Sequence, residues 1–213
     1  QIGIVKKTLL LPLLIIFSPN NLLSDDAVSE DVEIEVVEII GSQEEALEIA
    51  GAATVINSDD LEVYEYTDIH KILSNVPGVN FRPEEGYGLR PNLSIRGTYA
   101  DRSGKITLME DGVLIAPAPY AASSAYYFPT AGRLAGVEVL KGPSAITQGP
   151  YTIGGAINLL STPIPDKTGG LFNQEFGEDQ TRRTHFHYGV IQDKVAFLIE
   201  SHIWETDGFD AIK

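Results

Sequence analysis

Apolar positions along this chain change their spacing from block to block, and each spacing predicts a different element. Residues 9–17 are almost continuously apolar, broken only by Pro12, with Lys6 and Lys7 before them and a polar, turn-prone stretch at 18–24 after them. A cationic start, an apolar core and a polar end is the order of an export leader, which assigns residues 1–24 to a signal peptide. A buried amino-terminal helix is the competing reading of the same run. Residues 33–40 then interleave acid with β-branched aliphatics: Glu33, Ile34, Glu35, Val36, Val37, Glu38, Ile39 and Ile40. Such side chains favour an extended strand, and the carboxylates keep it soluble while it lacks a partner.

The next block predicts helices. Asn57 or Ser58 is placed to cap a short turn at 59–63, and Thr67 to cap a second helix with Asp68 in its first turn. Ile69, Ile72, Leu73 and Val76 fall on one helical face, and Pro77-Gly78 ends it. Short strand candidates follow at 93–96, 106–109, 113–115, 137–140 and 156–160. Glu110-Asp111-Gly112 joins two of them with the Asp-Gly chemistry of a tight hairpin. Three long Gly/Pro/Tyr-rich loops separate the strands, at 82–91, 98–105 and 117–129; connections of that length usually carry function. The pattern defines an α+β domain over residues 52–165.

A strict period of two begins near Asp166. Segments 171–178, 184–190 and 195–204 read as strands. Thr184, Phe186, Tyr188 and Val190 share one face of the second, and Arg183, His185, His187 and Gly189 the other. In the third, Val195, Phe197, Ile199 and Ile203 alternate with a face carrying Glu200 and His202. Strands of about ten residues joined by short turns suit an outer-membrane barrel, or an ordinary sandwich hairpin.

Composition narrows the function. The 213 residues carry Lys+Arg 15 against Asp+Glu 30, a net charge of −15, which sets aside a nucleic-acid binder that works by neutralising phosphates. With 43% hydrophobic and 21% charged residues the chain is not disordered throughout. The absence of cysteine excludes disulfide scaffolds, Fe–S clusters, cysteine-bound zinc and cysteine nucleophiles. No apolar run reaches the ~18 residues a spanning helix needs, which leaves membrane strands open. Thirteen acids and no Lys or Arg lie between Asp25 and Glu62, so residues 25–51 form an acidic arm. Its strand either adds to another protein's sheet or is an ordinary edge strand. No nucleophile, zinc or phosphate-loop motif is present, so no enzyme is expected. His185 and His187 share a strand face, as a metal pair or as a polar lumen-facing pair, and no metal is assigned.

Five motifs occur in a fixed order: Pro77-Gly78-Val79, Ile95-Arg96-Gly97, Met109-Glu110-Asp111-Gly112-Val113, Val137-Glu138-Val139-Leu140-Lys141-Gly142-Pro143-Ser144-Ala145, and Gly154-Gly155-Ala156-Ile157-Asn158. Together they resemble the plug domain of TonB-dependent outer-membrane receptors, over roughly residues 32–165. The resemblance implies a plug with a small four-stranded mixed sheet inside a barrel of about 22 strands. It makes residues 166–213 the first barrel strands, with room for about three at ~10 residues each. The chain, which starts at Gln1, is on this reading an incomplete transporter.

The resemblance also implies partners and sites. Residues 33–40 stand at the TonB box, with Glu35, Val36, Val37, Glu38, Ile39 and Ile40 as the TonB-binding residues, unpaired within this chain. TonB, energised by ExbB/ExbD, would take them as an added strand in the periplasm. Arg96, and Lys141 where many members have Arg, would lock the plug against barrel carboxylates. The long loops would face outside and hold the ligand through Arg82, Arg90, Tyr99, Arg102 and Tyr120. Guanidinium forks and tyrosines suit a ferric siderophore or ferric-citrate-like chelate, although Glu84, Glu85 and Asp101 would repel an anionic one. The expected function is gated uptake of a scarce nutrient across the bacterial outer membrane, without a cofactor. The competing class is an exported soluble binding or adhesion module.

Overall fold

The computed structural model describes residues 38–64, 68–84, 86–115, 127–149, 151–192 and 194–208. A capping box opens α1 (Gln43–Glu48): the Ser42 hydroxyl accepts from the Glu45 amide, and the Glu45 carboxylate takes the Ser42 amide in return. The chain runs on through β1 (Ala52–Ile56) and α2 (Ser58–Tyr64) to α3 (Ile69–Leu73). Asp68 caps α3, accepting from the His70 amide at 2.9 Å; Thr67, the expected cap, lies outside the described residues. Ile69, Ile72, Leu73 and Val76 are all buried, as their helical spacing requires.

The central sheet has five strands in the order β1-β6-β7-β4-β5, using β4 (Ile106–Glu110), β5 (Val113–Leu114), β6 (Leu134–Lys141) and β7 (Gly155–Ser161). It is mixed: β4 and β7 are parallel and the other pairs antiparallel. One strand more is present than the resemblance implies. β1 was missed because its five residues pair only with β6, some eighty positions on. A separate hairpin pairs β2 (Val79–Arg82) with β3 (Asn92–Ile95). Asp111 and Gly112, with φ of 49° and 73°, form the two-residue turn between β4 and β5. Positive φ at both positions is what that turn type demands.

Strand pleating divides the core. Val137, Val139, Ile157, Leu159, Ile106 and Leu108 pack with α3 and the hairpin residues Val79, Leu93 and Ile95. The other face carries Met109, Leu140 and Ala156, covered by Ile40 and by Ala46 of α1. Three longer strands follow, β8 (Gly169–Phe176), β9 (Arg182–Gln192) and β10 (Val195–Glu205), as an antiparallel sheet in the order β10-β9-β8. Phe172, Phe176, Phe186, Tyr188, Phe197, Ile199 and Ile203 stand on one face and are exposed. The opposite face carries Glu175, Arg183, His185, His187, Glu200 and His202, interspersed with Leu171, Ile191, Leu198 and Trp204.

Candidate functional site

Four of the five motifs meet at one corner of the plug. The Arg96 amide donates to the Gly78 carbonyl at 2.8 Å, and Lys141 Nζ donates to the Pro77 carbonyl and to Thr54 Oγ1, each at 3.1 Å. Gly155 lies so close to the Leu140 carbonyl and to Ile95 that a Cβ there would overlap them, and its φ is 148°. Only glycine closes this corner. Arg96 (φ 54°) is exposed, whereas Lys141 is 5% exposed. Burial first, and then the nearby Arg96 guanidinium, push the Lys141 ammonium below the ordinary lysine range. Neither side chain has a carboxylate partner among the described residues. Two cations therefore share one corner with no carboxylate paired to either among the described residues.

Glu138 lies on the second face of the sheet, at 1% exposure, opposite Asn158. A buried carboxylate is costly unless its lone pairs are filled. Here the amides of Ile39, Ile40 and Gly41 donate to it at 2.8, 2.7 and 3.0 Å, and Asn158 Nδ2 at 2.8 Å. Asn158 Oδ1 in turn accepts from the Gly112 amide at 2.9 Å. Three consecutive amides and a side-chain amide form an anion cradle built from the root of the acidic arm. Ile40 is buried beside Leu140 and Met109. The expectation that 33–40 has no partner within the chain is therefore corrected for its last residues: Ile39 and Ile40 are bound to the plug. Glu38 precedes the cradle, and burial, then Glu138 and Glu45, raise its carboxyl above the ordinary range. Glu35, Val36 and Val37 lie outside the described residues. Sequence reading passed over Glu138 because an acid in an alternating strand normally points to solvent.

The structure brings the first two long loops together. Arg82 reaches Asp101 at 3.2 Å and Arg102 reaches Glu84 at 2.6 Å, so two of the three predicted ligand cations already hold carboxylates of this chain. Asn92 ties the segments: its side chain donates to Glu84 and to the Arg82 carbonyl, and accepts from the Arg102 amide at 2.8 Å. Arg90 and Tyr99 are exposed on the same two loops. Tyr120 lies outside the described residues. At the end of the third loop, Tyr127 and Arg133 both bind Glu110.

The polar face of the long strands meets the plug. Glu200 accepts from Thr162 Oγ1 at 2.7 Å and contacts His185 Nε2 at 2.8 Å, while Arg183 pairs with Glu175. His202 packs against Gly132 and edge-on to His185. Among the described residues no group of three His, Asp or Glu is arranged to hold a metal. His185 and His187 stand in that polar cluster.

A small mixed-sheet domain, tied through polar contacts to strands that are apolar on their far side, is the architecture of a barrel plug with its adjoining wall. The chain matches the model of the TonB-dependent Receptor Plug Domain over residues 45–156, and it belongs to that family. Over 170 residues it is 28% identical to the vitamin B12 transporter of Vibrio vulnificus (strain CMCP6), covering 76% of this chain and 26% of that protein. Its fold is similar to the unliganded ferric citrate transporter, with a TM-score of 0.61, 23% identity, and 78% and 27% of the two chains covered. It is also similar to the siderophore receptor of Acinetobacter baumannii, with a TM-score of 0.56, 21% identity and 81% and 27% coverage. The chain spans about a quarter of the length of these relatives.

Proposed function

We propose that this chain supplies the plug and first wall strands of a TonB-dependent transporter of the bacterial outer membrane, importing a scarce nutrient, in first place a ferric chelate. Residues 1–24 serve as the export leader, 25–51 as the periplasmic arm, 52–165 as the plug and 166–213 as barrel strands. The observation that carries the reading is the strand block. Its exposed face of Phe172, Phe186, Tyr188, Phe197, Ile199 and Ile203 suits lipid, and its polar face grips the plug. A soluble adhesion module would leave that apolar face in water. The 28% identity to a vitamin B12 transporter supports a corrinoid as the second ligand class.

On this reading TonB, driven by ExbB/ExbD, adds a strand to the arm upstream of the Glu138 cradle, at Glu35, Val36 and Val37 and as far as Glu38. Ile39 and Ile40 mark the fixed end of that strand. Arg96 and Lys141 meet wall carboxylates and hold the plug shut. Arg82, Arg90, Tyr99, Arg102 and Tyr120 face the ligand. Proline removes an amide donor and cannot sit in a paired strand. A Val37→Pro variant of the full-length receptor should therefore keep ligand binding and lose energised uptake of a radiolabelled ligand by at least tenfold. Uptake equal to wild type would reject the assignment. Recovery of the full-length protein from cells without detergent, as a stable monomer, would favour the soluble module instead.

A further inference from the structure

We infer that the paired loops 82–91 and 98–105 select a ligand of little or no net charge and discriminate against a polyanionic chelate. The inference rests on the reading of these loops as the ligand face, and adds to it the charge class of the ligand.

Two ion pairs cross between the loops in opposite senses. Arg82 of the first segment holds Asp101 of the second at 3.2 Å, and Glu84 of the first receives Arg102 of the second at 2.6 Å. Each segment thus contributes one cation and one anion. Asn92 sits between the pairs and fixes both. Its side-chain amide donates to Glu84 Oε2 at 3.2 Å and to the Arg82 carbonyl at 3.3 Å, and its Oδ1 accepts from the Arg102 amide. Arg102 is held in a left-handed backbone conformation, φ 51°, so its amide and its guanidinium are both committed to this arrangement. The Asn92 amide, with the Arg102 and Arg82 guanidiniums, holds the Glu84 carboxyl below the ordinary range, so it stays ionised at neutral pH.

An arriving anion meets a carboxylate already in place at the guanidiniums of Arg82 and Arg102. To use either fork it must displace Asp101 or Glu84 and then sit beside the like charge it displaced. Gain and loss are of similar size, and salt screens both at this exposure. An uncharged ligand faces no such exchange. Its amide or hydroxyl protons find carboxylate acceptors, and its oxygens find the remaining guanidinium donors. The flank of the same loop is largely apolar, with Thr130 and His202 as its polar members. Tyr87 and Leu89, with Phe128, Pro129 and Trp204, line a shallow recess, Tyr87 standing edge-on to Trp204 at 4.7 Å. A rim of this kind takes uncharged, partly apolar surface.

The test uses the full-length receptor in detergent with three probes: an uncharged ferric trihydroxamate, vitamin B12, and a trianionic ferric tricatecholate. At least one uncharged probe should bind at least tenfold more tightly than the trianionic one, about 1.4 kcal/mol. The double variant Glu84→Gln/Asp101→Asn removes both acids and keeps their shape. It should raise affinity for the trianionic probe at least tenfold, in a salt-dependent manner, and should not raise affinity for the uncharged probes, which lose acceptors. The mirror variant Arg82→Gln/Arg102→Gln should weaken the trianionic probe further, and serves if the first variant does not fold. A wild-type preference for the trianionic probe that survives removal of the acids unchanged, or falls, overturns the charge inference alone. If both double variants and Tyr87→Ala leave every probe's affinity unchanged, the loops are not the ligand face, and that reading falls with it.

Discussion

Glu138 shows how one buried charge can organise a chain terminus. Its carboxylate is stable in the core only because the amides of Ile39, Ile40 and Gly41 and the Asn158 side chain saturate it. Each hydrogen bond to a charged group contributes about 1.5–3 kcal/mol, though such bonds do not add simply. Glu138→Ala should therefore leave the plug folded and free the arm root. By hydrogen exchange on the full-length receptor, the amides of residues 39–41 should lose at least tenfold in protection, while those of β7 keep theirs. Unchanged protection at 39–41 would remove the cradle from the account. The strand carrying Glu138 was legible from its alternating apolar residues. The acid's role was not, because three of its four partners are backbone amides nearly a hundred residues upstream, which leave no trace in residue type. Arg96 and Lys141, by contrast, were singled out from sequence through the glycine-marked motifs around them, and the structure brings the two side chains to one corner. Gly155 is required because the Leu140 carbonyl and Ile95 leave no room for a Cβ, and Gly78, Gly97 and Gly142 are favoured by their positive φ.

Among the elements, those with a strong local period were found from sequence and those defined by distant pairing were not. The apolar face of α3 and the alternation of β9 and β10 read directly. β1 and β2 did not, since β1 takes its register from β6 and β2 from β3 across the long loop. α1 was hidden within the acid-rich arm, although Ser42 and Glu45 spell its capping box. The contact between plug and wall belongs to this scale as well. His202 of β10 rests on Gly132, where a Cβ would overlap the imidazole ring. Overpacking of this kind costs about 1–3 kcal/mol. Gly132→Ala should accordingly lower the thermal unfolding midpoint of the full-length receptor. Adding His202→Ala should restore part of the loss, and the double-mutant cycle should give a coupling of at least 0.5 kcal/mol, the low end for residues in contact. Strict additivity would show that the two residues do not meet.

At the scale of the whole molecule, Arg96 and Lys141 have no carboxylate partner among the described residues, and on the proposed reading the barrel wall supplies one. Arg96→Ala in the full-length receptor should raise sensitivity to large antibiotics normally kept out, with ligand affinity unchanged; sensitivity equal to wild type would remove Arg96 from the plug's closure. The position of β1 carries a mechanical consequence. Let a pull act on the chain upstream of residue 38. The cradle resists first, and because its bonds share one carboxylate they yield together. Tension then passes through α1 to Ala52, at the free end of a strand paired on one side only. A load there parts the ladder rung by rung, from Ala52 and Lys141 toward Ile56 and Val137. When Thr54 leaves, Lys141 loses one of its two hydrogen bonds. The edge strand is laid out like a rip-cord: slack until Glu138 lets go, and from then on tugging at the corner where Lys141 meets Thr54 and Pro77.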